Sequence, residues 1–290
     1  MIPPPFEYTA PKTTSEAITL LRQDSDAKVL AGGQSLIPMM RFRLASPALL
    51  IDINRISGLE YIREEDGWLK IGALTREVDL DRSDLVRRKY DLLADTTRMV
   101  ADPIVRNLAT LGGNLAHADP ANDHPATMLA YGARLVALGP EGQRVIGIDN
   151  FFMGPFESNL AHTEILTEIR IPARQSRSAG AYVKMERRVG DFATAAVAVQ
   201  IQLNQEGVVS QAGIGLTNVG LMPIRAKTAE QFLIGSRLSE ENIHHAAHLA
   251  GTDAQPQSDA RGSEEYKRSL VRTLTVRALH KTIERLNGGS

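Results

Sequence analysis

A chain of 290 residues is long enough for two or three substructures with cores of their own. Its 33 Lys and Arg against 34 Asp and Glu leave a net charge of -1, so no overall field draws it to nucleic acid or anionic lipid. With no cysteine it can hold neither an iron–sulfur cluster, a thiolate metal site nor a disulfide, and any redox centre on it is organic or ligated through oxygen and nitrogen.

The first residues, Met1 to Phe6, lack a basic stretch leading into an apolar one, and no apolar run reaches the ~18 residues of a membrane span. The expected location is the cytoplasm, with any membrane association made through partners. Thr13-Thr14-Ser15-Glu16 reads as a capping box, and the spacing behind it predicts a helix from Thr14 to about Gln23. Lys28 to Ala31 reads as a short strand delivering the double glycine Gly32-Gly33, after which Leu36 to Leu44 reads as a helix and Leu49 to Ile53 as a buried strand. Strand, glycine turn and helix N-terminus together favour a phosphate, through backbone N–H groups and the helix dipole.

Tyr61 to Arg63 and Trp68 to Ala73 read as strands joined at the hairpin turn Asp66-Gly67. A helix is predicted from Tyr90 to Val100, stopped by Pro103. A second double glycine follows in Thr110-Leu111-Gly112-Gly113-Asn114. Asp123-His124-Pro125 reads as an N-cap with proline near the first helical position, opening a helix to Tyr131. Strands over Arg134–Leu138 and Arg144–Ile148 flank another hairpin, and Ile165 to Ile171 closes the sheet. From Ala179 the pattern changes to three strands, about Ala181–Arg187, Ala195–Leu203 and Gln211–Thr217, and then to helices over Ala226–Ile234, Ser239–Ala250 and Ser263–Leu286. Strands followed by helices read as α+β.

The glycine pairs carry the chemistry. Lacking Cβ, Gly32-Gly33 and Gly112-Gly113 can take positive φ and turn successive N–H groups into one concavity suited to a phosphate, with Ser35, Thr110 and Asn114 adding side-chain donors. Plain turns are the alternative for either pair. His117, Asp119, Asp123 and His124 form a cluster of metal-ligating types, but Pro120 and Pro125 interrupt it and no i, i+4 histidine pair occurs there, so turn capping and nucleotide contacts explain it better. Gly213-Ile214-Gly215 only superficially evokes a dinucleotide fingerprint and reads as strand.

The stretches Lys28 to Met40 and Ala109 to Asp123 resemble the two FAD-binding signatures of the molybdenum hydroxylases. The chain as a whole, including Ser178 to Lys184 and Arg187 to Thr194, is similar to the medium subunit of the carbon monoxide and xanthine dehydrogenase family. The resemblance implies an α+β fold. A two-part FAD-binding domain would comprise a small α/β unit (1–55) and a mostly antiparallel α+β unit (56–176), followed by a C-terminal domain (177–290) of a three-stranded antiparallel sheet and a helical bundle.

The resemblance also implies FAD on this chain, held by Lys28, Leu30, Ala31, Gly32, Gly33, Gln34, Ser35 and Leu36, by Thr110, Leu111, Gly112, Gly113 and Asn114, and by Asp123, Leu166, Lys184 and Phe192. No catalytic residue or metal ligand is implied on this chain. Lys184 would turn a positive charge towards the flavin, where the alternative is an exposed lysine on a sheet face. Phe192 stands where related subunits carry Tyr or Trp, which leaves stacking without a hydroxyl. Gln34 replaces a histidine common in carbon monoxide dehydrogenases, which makes the family firmer than the substrate. Implied partners are a large subunit with a molybdenum–molybdopterin cofactor and a small subunit with two [2Fe-2S] clusters, assembled as a dimer of heterotrimers, with quinone, NAD or oxygen as acceptor. Carbon monoxide is the leading substrate, beside N-heteroaromatics, purines and aldehydes. A stand-alone flavin oxidase and a metal hydrolase built on the His/Asp cluster are the competing readings.

Overall fold

A computed structural model describes residues 2–288, and the first of its sheets is wholly parallel. It comprises β1 (Glu7–Thr9), β2 (Lys28–Leu30) and β3 (Leu49–Asp52) in the order β1-β3-β2, with α1 (Thr14–Gln23) and α2 (Leu36–Arg41) in the connections. Thr13 caps α1 by accepting from Glu16 N, and the Glu16 carboxylate accepts in return from Lys12 N. Ala17, Ile18 and Leu21 then form one buried face against Ile51. α2 stops at Arg41, earlier than the expected Leu44, because Arg43 takes a positive φ of 60° and turns the chain. Strand β1 escapes sequence pattern because three mostly exposed residues carry no alternation.

The second sheet is antiparallel throughout, in the order β4-β5-β10-β6-β7. β4 (Ile62–Glu65) and β5 (Trp68–Gly72) turn at Asp66 and Gly67, whose φ values of 53° and 78° are the positive pair that a two-residue hairpin of this twist needs. Between β5 and the β6 (Arg134–Gly139)/β7 (Gly142–Gly147) hairpin run α3 (Glu77–Arg82), α4 (Asp84–Lys89), α5 (Asp91–Met99), α6 (Pro103–Arg106), α7 (Leu111–His117) and α8 (Asp123–Tyr131). A small hairpin, β8 (Phe152–Gly154) and β9 (Glu157–Ser158), precedes the central strand β10 (Ile165–Pro172).

The third sheet joins β11 (Ser178–Met185), β12 (Ala195–Leu203), β13 (Val209–Thr217) and a two-residue edge strand, β14 (Ile224–Arg225), beyond the three strands expected. The faces of β12 and β13 divide by side-chain size. Val197, Val199, Ile201, Ile214 and Leu216 pack into one core with α9 (Lys227–Leu233), α10 (Glu240–Asp253) and α11 (Glu264–Leu286). Ala196 and Ala198 face the other way, onto Leu92, Ala126 and Ala130 of α5 and α8. On that face a Cβ at Gly213 or Gly215 would stand 1.9 Å from the carbonyl oxygen of Ala130 or Ala126. The glycine repeat therefore exists so that the α8 backbone can lie directly on β13, which seats the start of α8 beside β11.

Candidate functional site

The two glycine segments, far apart in sequence, meet. A Cβ on Gly32 would lie 2.4 Å from Leu108 O and 2.8 Å from Ala109 Cα, and one on Gly113 would lie 3.7 Å from Ala31 Cβ. Two residues that nothing in the sequence singled out fasten this junction. Asn54 Nδ2 donates to Ala31 O at 2.9 Å, Arg76 Nη2 donates to Asn54 Oδ1 at 2.7 Å, and Arg76 Nη1 donates to Leu108 O. A guanidinium suits the task because its fixed fork bonds Leu108 O and, at the same time, the Asn54 amide that holds Ala31.

The two pairs, each able to take positive φ, are not equivalent. Among these glycines only Gly33 takes it, at 73°. None of the backbone N–H groups of Gly32, Gly33, Gln34 and Ser35 donates to an acceptor among the described residues, and Ser35 precedes α2 without using its hydroxyl as a cap. In the second segment Leu111 N donates to Thr75 O, Gly112 N to Ala73 O and Gly113 N to Thr110 Oγ1, at 3.1, 2.9 and 3.1 Å. That pair opens α7 rather than forming a turn, with Thr110 as its N-cap. A Cβ at Gly112 would meet Ala73 at 2.5 Å, so this glycine serves close packing. Asn114 Oδ1 is buried without a partner. With six residues, α2 is too short for its dipole to matter much, and the free N–H groups themselves are the donors.

From Asn114 the site continues to a buried ion pair. Asn122 Nδ2 donates to Asn114 O at 2.9 Å, and Asn122, not the expected Asp123, occupies the N-cap position of α8. Asp123 is the first helical residue and is buried: Oδ1 accepts from Tyr182 OH at 2.6 Å and Oδ2 from Lys184 Nζ at 2.9 Å. Lys184 also donates to Met99 O at 3.0 Å and stands 3.4 Å from Glu186 Oε2. At 1% side-chain exposure it is not the exposed lysine of the alternative reading. Burial pushes the Asp123 carboxyl up from its usual range against the pull of Lys184 and Tyr182, and burial beside Asp123 pushes the Tyr182 phenol well above its ordinary value.

The remaining expected residues are placed as follows. Lys28 is exposed at the start of β2, and Leu30 and Ile37 flank Gly33. Gln34 is half-buried in the first segment and Leu36 opens α2. Leu166 is a core residue at a bulge in β10; the same bulge lets Thr167 O accept from Ala73 N at 3.0 Å, directly behind Gly112. Phe192 is 47% exposed on a loop that Arg261 pins through Asp191 and Phe192 O. Gly190, at φ 84°, lets that loop approach Ala101.

The His/Asp cluster disperses. His117 packs on the Phe156 ring, Asp119 accepts from Ala121 N, and His124 Nε2 bonds a fully buried Glu77 at 2.7 Å. Among the described residues no group of three or more such side chains is placed to hold a metal.

Comparison with known proteins decides what this junction belongs to. Residues 4–174 match the model of the FAD binding domain in molybdopterin dehydrogenase, and residues 180–282 that of the CO dehydrogenase flavoprotein C-terminal domain. The chain belongs to the molybdopterin dehydrogenase FAD-binding family. Over 281 residues it is 44% identical to the carbon monoxide dehydrogenase medium chain of Hydrogenophaga pseudoflava, covering 97% of this chain and 98% of that one. A structure of carbon monoxide dehydrogenase from the same organism superposes with a TM-score of 0.95 at 45% identity, covering 98% and 99% of the two chains. Quinoline 2-oxidoreductase from Pseudomonas putida 86 gives 0.91 at 32% identity, covering 100% and 99%.

For a member of this FAD-binding family the residues fit the cofactor. A dinucleotide's pyrophosphate needs hydrogen-bond donors and no competing anion. The N–H groups from Gly32 to Ser35 are unengaged, and the orphaned Asn114 Oδ1 lacks a donor that a ligand hydroxyl can supply.

Proposed function

We propose that this chain is the FAD-carrying electron-transfer subunit of a heterotrimeric molybdenum hydroxylase of the carbon monoxide dehydrogenase type. The observation that carries this reading is the 44% identity to a carbon monoxide dehydrogenase medium chain along nearly the full length of both proteins. In this reading a large partner holds molybdenum–molybdopterin and oxidises the substrate. A small partner holds two [2Fe-2S] clusters, and electrons reach an external acceptor such as a quinone, NAD or oxygen from this chain. The assembly is a dimer of heterotrimers in the cytoplasm; among the described residues no helix is long and apolar enough to cross a membrane.

FAD supplies the ability to take electrons singly and release them singly or in pairs. The residues of this chain bind and orient it. Gly32, Gly33, Gln34 and Ser35 present backbone donors to the pyrophosphate, with the Ser35 hydroxyl beside them. Thr110, Leu111, Gly112, Gly113 and Asn114 form the opposing wall, whose own amides are turned inward. Lys28, Leu30, Ala31 and Leu36 shape the first segment, Leu166 backs the second, and Asp123, Lys184 and Phe192 stand at the flavin end. No acid–base chemistry on the primary substrate falls to this chain. We assign residues 1–55 and 56–176 to the two FAD-binding units and 177–290 to the C-terminal domain.

The test is to purify the protein with its co-purifying partners, release and identify the flavin, assay molybdenum and iron, and follow carbon monoxide-dependent dye reduction. One FAD per chain with molybdenum, iron and carbon monoxide turnover supports the assignment. The same cofactors with turnover of an N-heteroaromatic, a purine or an aldehyde instead would move the substrate, a reading favoured by Gln34 and by the fit to quinoline 2-oxidoreductase. A colourless preparation that takes up no FAD would sink the proposal.

A further inference from the structure

Lys184 is surrounded by more negative charge than it can balance. Its ammonium lies 2.9 Å from Asp123 Oδ2 and 3.4 Å from Glu186 Oε2, and its third neighbour, Met99 O, is a neutral acceptor. Among the described residues no second cation lies within salt-bridge distance of either carboxylate, and Tyr182 OH is the remaining donor to Asp123. Glu186 Oε2 is buried and makes no hydrogen bond, so its interaction with Lys184 is through charge alone. With Asp123 ionised the three side chains sum to one negative charge, and with Asp123 protonated they sum to zero. In neither state is Lys184 an uncompensated cation.

The cluster is continuous with the glycine junction. Asn114 is joined to Asn122, Asn122 precedes Asp123, and Asp123 holds Lys184. Glu186 follows Lys184 by two residues, beyond the end of β11, and nothing in the sequence marks it.

We propose that Glu186 is a positioning residue of this site: with Asp123 it holds Lys184 in place and cancels the charge that Lys184 carries towards a bound flavin, so that the flavin is harder to reduce than a free lysine would make it. The proposal rests on the FAD reading above. Reduction adds negative charge to a flavin, and a nearby carboxylate disfavours that state while a nearby ammonium favours it. Removing the Glu186 charge therefore raises the reduced-to-oxidised ratio at a fixed solution potential, by roughly tenfold for a charge at close range, which is about 30 mV for a two-electron couple.

The experiment compares wild type, Glu186→Gln and Glu186→Asp, each purified with its partners. FAD content is measured first by acid release, and the flavin potential is then titrated with redox dyes. E186Q is expected to hold FAD as wild type does and to titrate about 30 mV higher, while E186D, which keeps the charge, stays near wild type. An E186Q potential equal to that of wild type overturns the proposal, as does an E186D shift as large as that of E186Q, which would assign the effect to packing. Should E186Q lose FAD, retention by E186D supports a charge-held Lys184, and loss from both overturns it. Absence of FAD from wild type brings down both this proposal and the FAD reading, whereas FAD present with an unmoved E186Q potential brings down this one alone.

Discussion

The Cβ that Gly32 lacks would stand 2.4 Å from the carbonyl oxygen of Leu108, so the two glycine segments touch through backbone at a point where no other residue fits. Neither atom can swing away as a flexible side chain would. Gly32→Ala is therefore expected to part the segments. A strain of about 2 kcal/mol, typical of overpacking, lowers FAD affinity by more than tenfold if it falls on the bound geometry. Gly33→Ala, whose Cβ would meet the movable Ile37 Cδ1 at 2.7 Å, is expected to do less harm despite its positive φ. FAD per chain after gel filtration, beside a thermal melt, separates the two variants. Equal retention by both would contradict the backbone contact.

Arg76 ties Asn54 to Leu108 and so fixes the same junction from the side. Arg76→Lys keeps the charge but loses the fork. We expect a loss of about 2 kcal/mol, the scale of hydrogen bonds to a charged group, divided between stability and FAD retention. Asn54→Ala should give a smaller loss in the same direction. Chemical denaturation of the FAD-free and FAD-loaded forms reads both terms, and an Arg76→Lys protein that matches wild type in each would remove Arg76 from the clamp.

Gly215 supports the seating of α8 and so, indirectly, Asp123. Its missing Cβ would be 1.9 Å from Ala126 O, closer than any side-chain rearrangement can relieve. Gly215→Ala should cost roughly 3 kcal/mol, at the upper end for overpacking, and appear as a lower urea midpoint with an unchanged slope. A midpoint within error of wild type would show that α8 can lift off β13 at little cost.

Asp95 governs the acid limb of stability. Burial alone would raise its carboxyl, but hydrogen bonds from Arg285 and Lys281, at 2.8 and 2.9 Å, outweigh it and hold the pKa below the ordinary value of 3.8. Because the folded value is depressed, the stabilisation is complete above the unfolded value and is lost as pH falls through the folded one. Asp95→Asn is expected to cost about 3 kcal/mol at neutral pH, the scale for breaking a buried pair. The gap to wild type should narrow below roughly pH 4. Thermal melts across that range check it, and a gap independent of pH would mean that packing, not charge, holds α5 to α11.

Local signals in this chain were legible and long-range ones were not. The helix over Thr14–Gln23, the helix from Asp123 to Tyr131, the Asp66-Gly67 hairpin and the three C-terminal helices all announce themselves through caps, turn residues and periodicity. Strand β1 and edge strand β14 are too short to carry a pattern. The glycine pairs look alike in sequence, yet one leaves its amides free and the other buries them. The difference lies in Ala73 and Thr75, which reach Gly112 and Leu111 only after folding. Lys184 shows the same limit: strand alternation cannot distinguish an outward lysine from one that α5 and α8, distant in sequence, enclose. Arg76 and Asn54 carry no local signature because each acts across a gap in the chain, and Glu186 carries none because its importance comes from Lys184, whose burial is itself set by distant elements.

The bond from Arg285 to Asp95 spans 190 residues. During synthesis the α5 carboxylate leaves the ribosome long before the guanidinium and ammonium that neutralise it, so a nascent chain must keep Asp95 wet or protonated until α11 arrives. Closing a loop of that length is slow to nucleate but adds little further cost with length. Helix α11 thus acts as a latch: the α5–β11 seam, and with it the strand that bears Lys184, is locked only once α11 has been made.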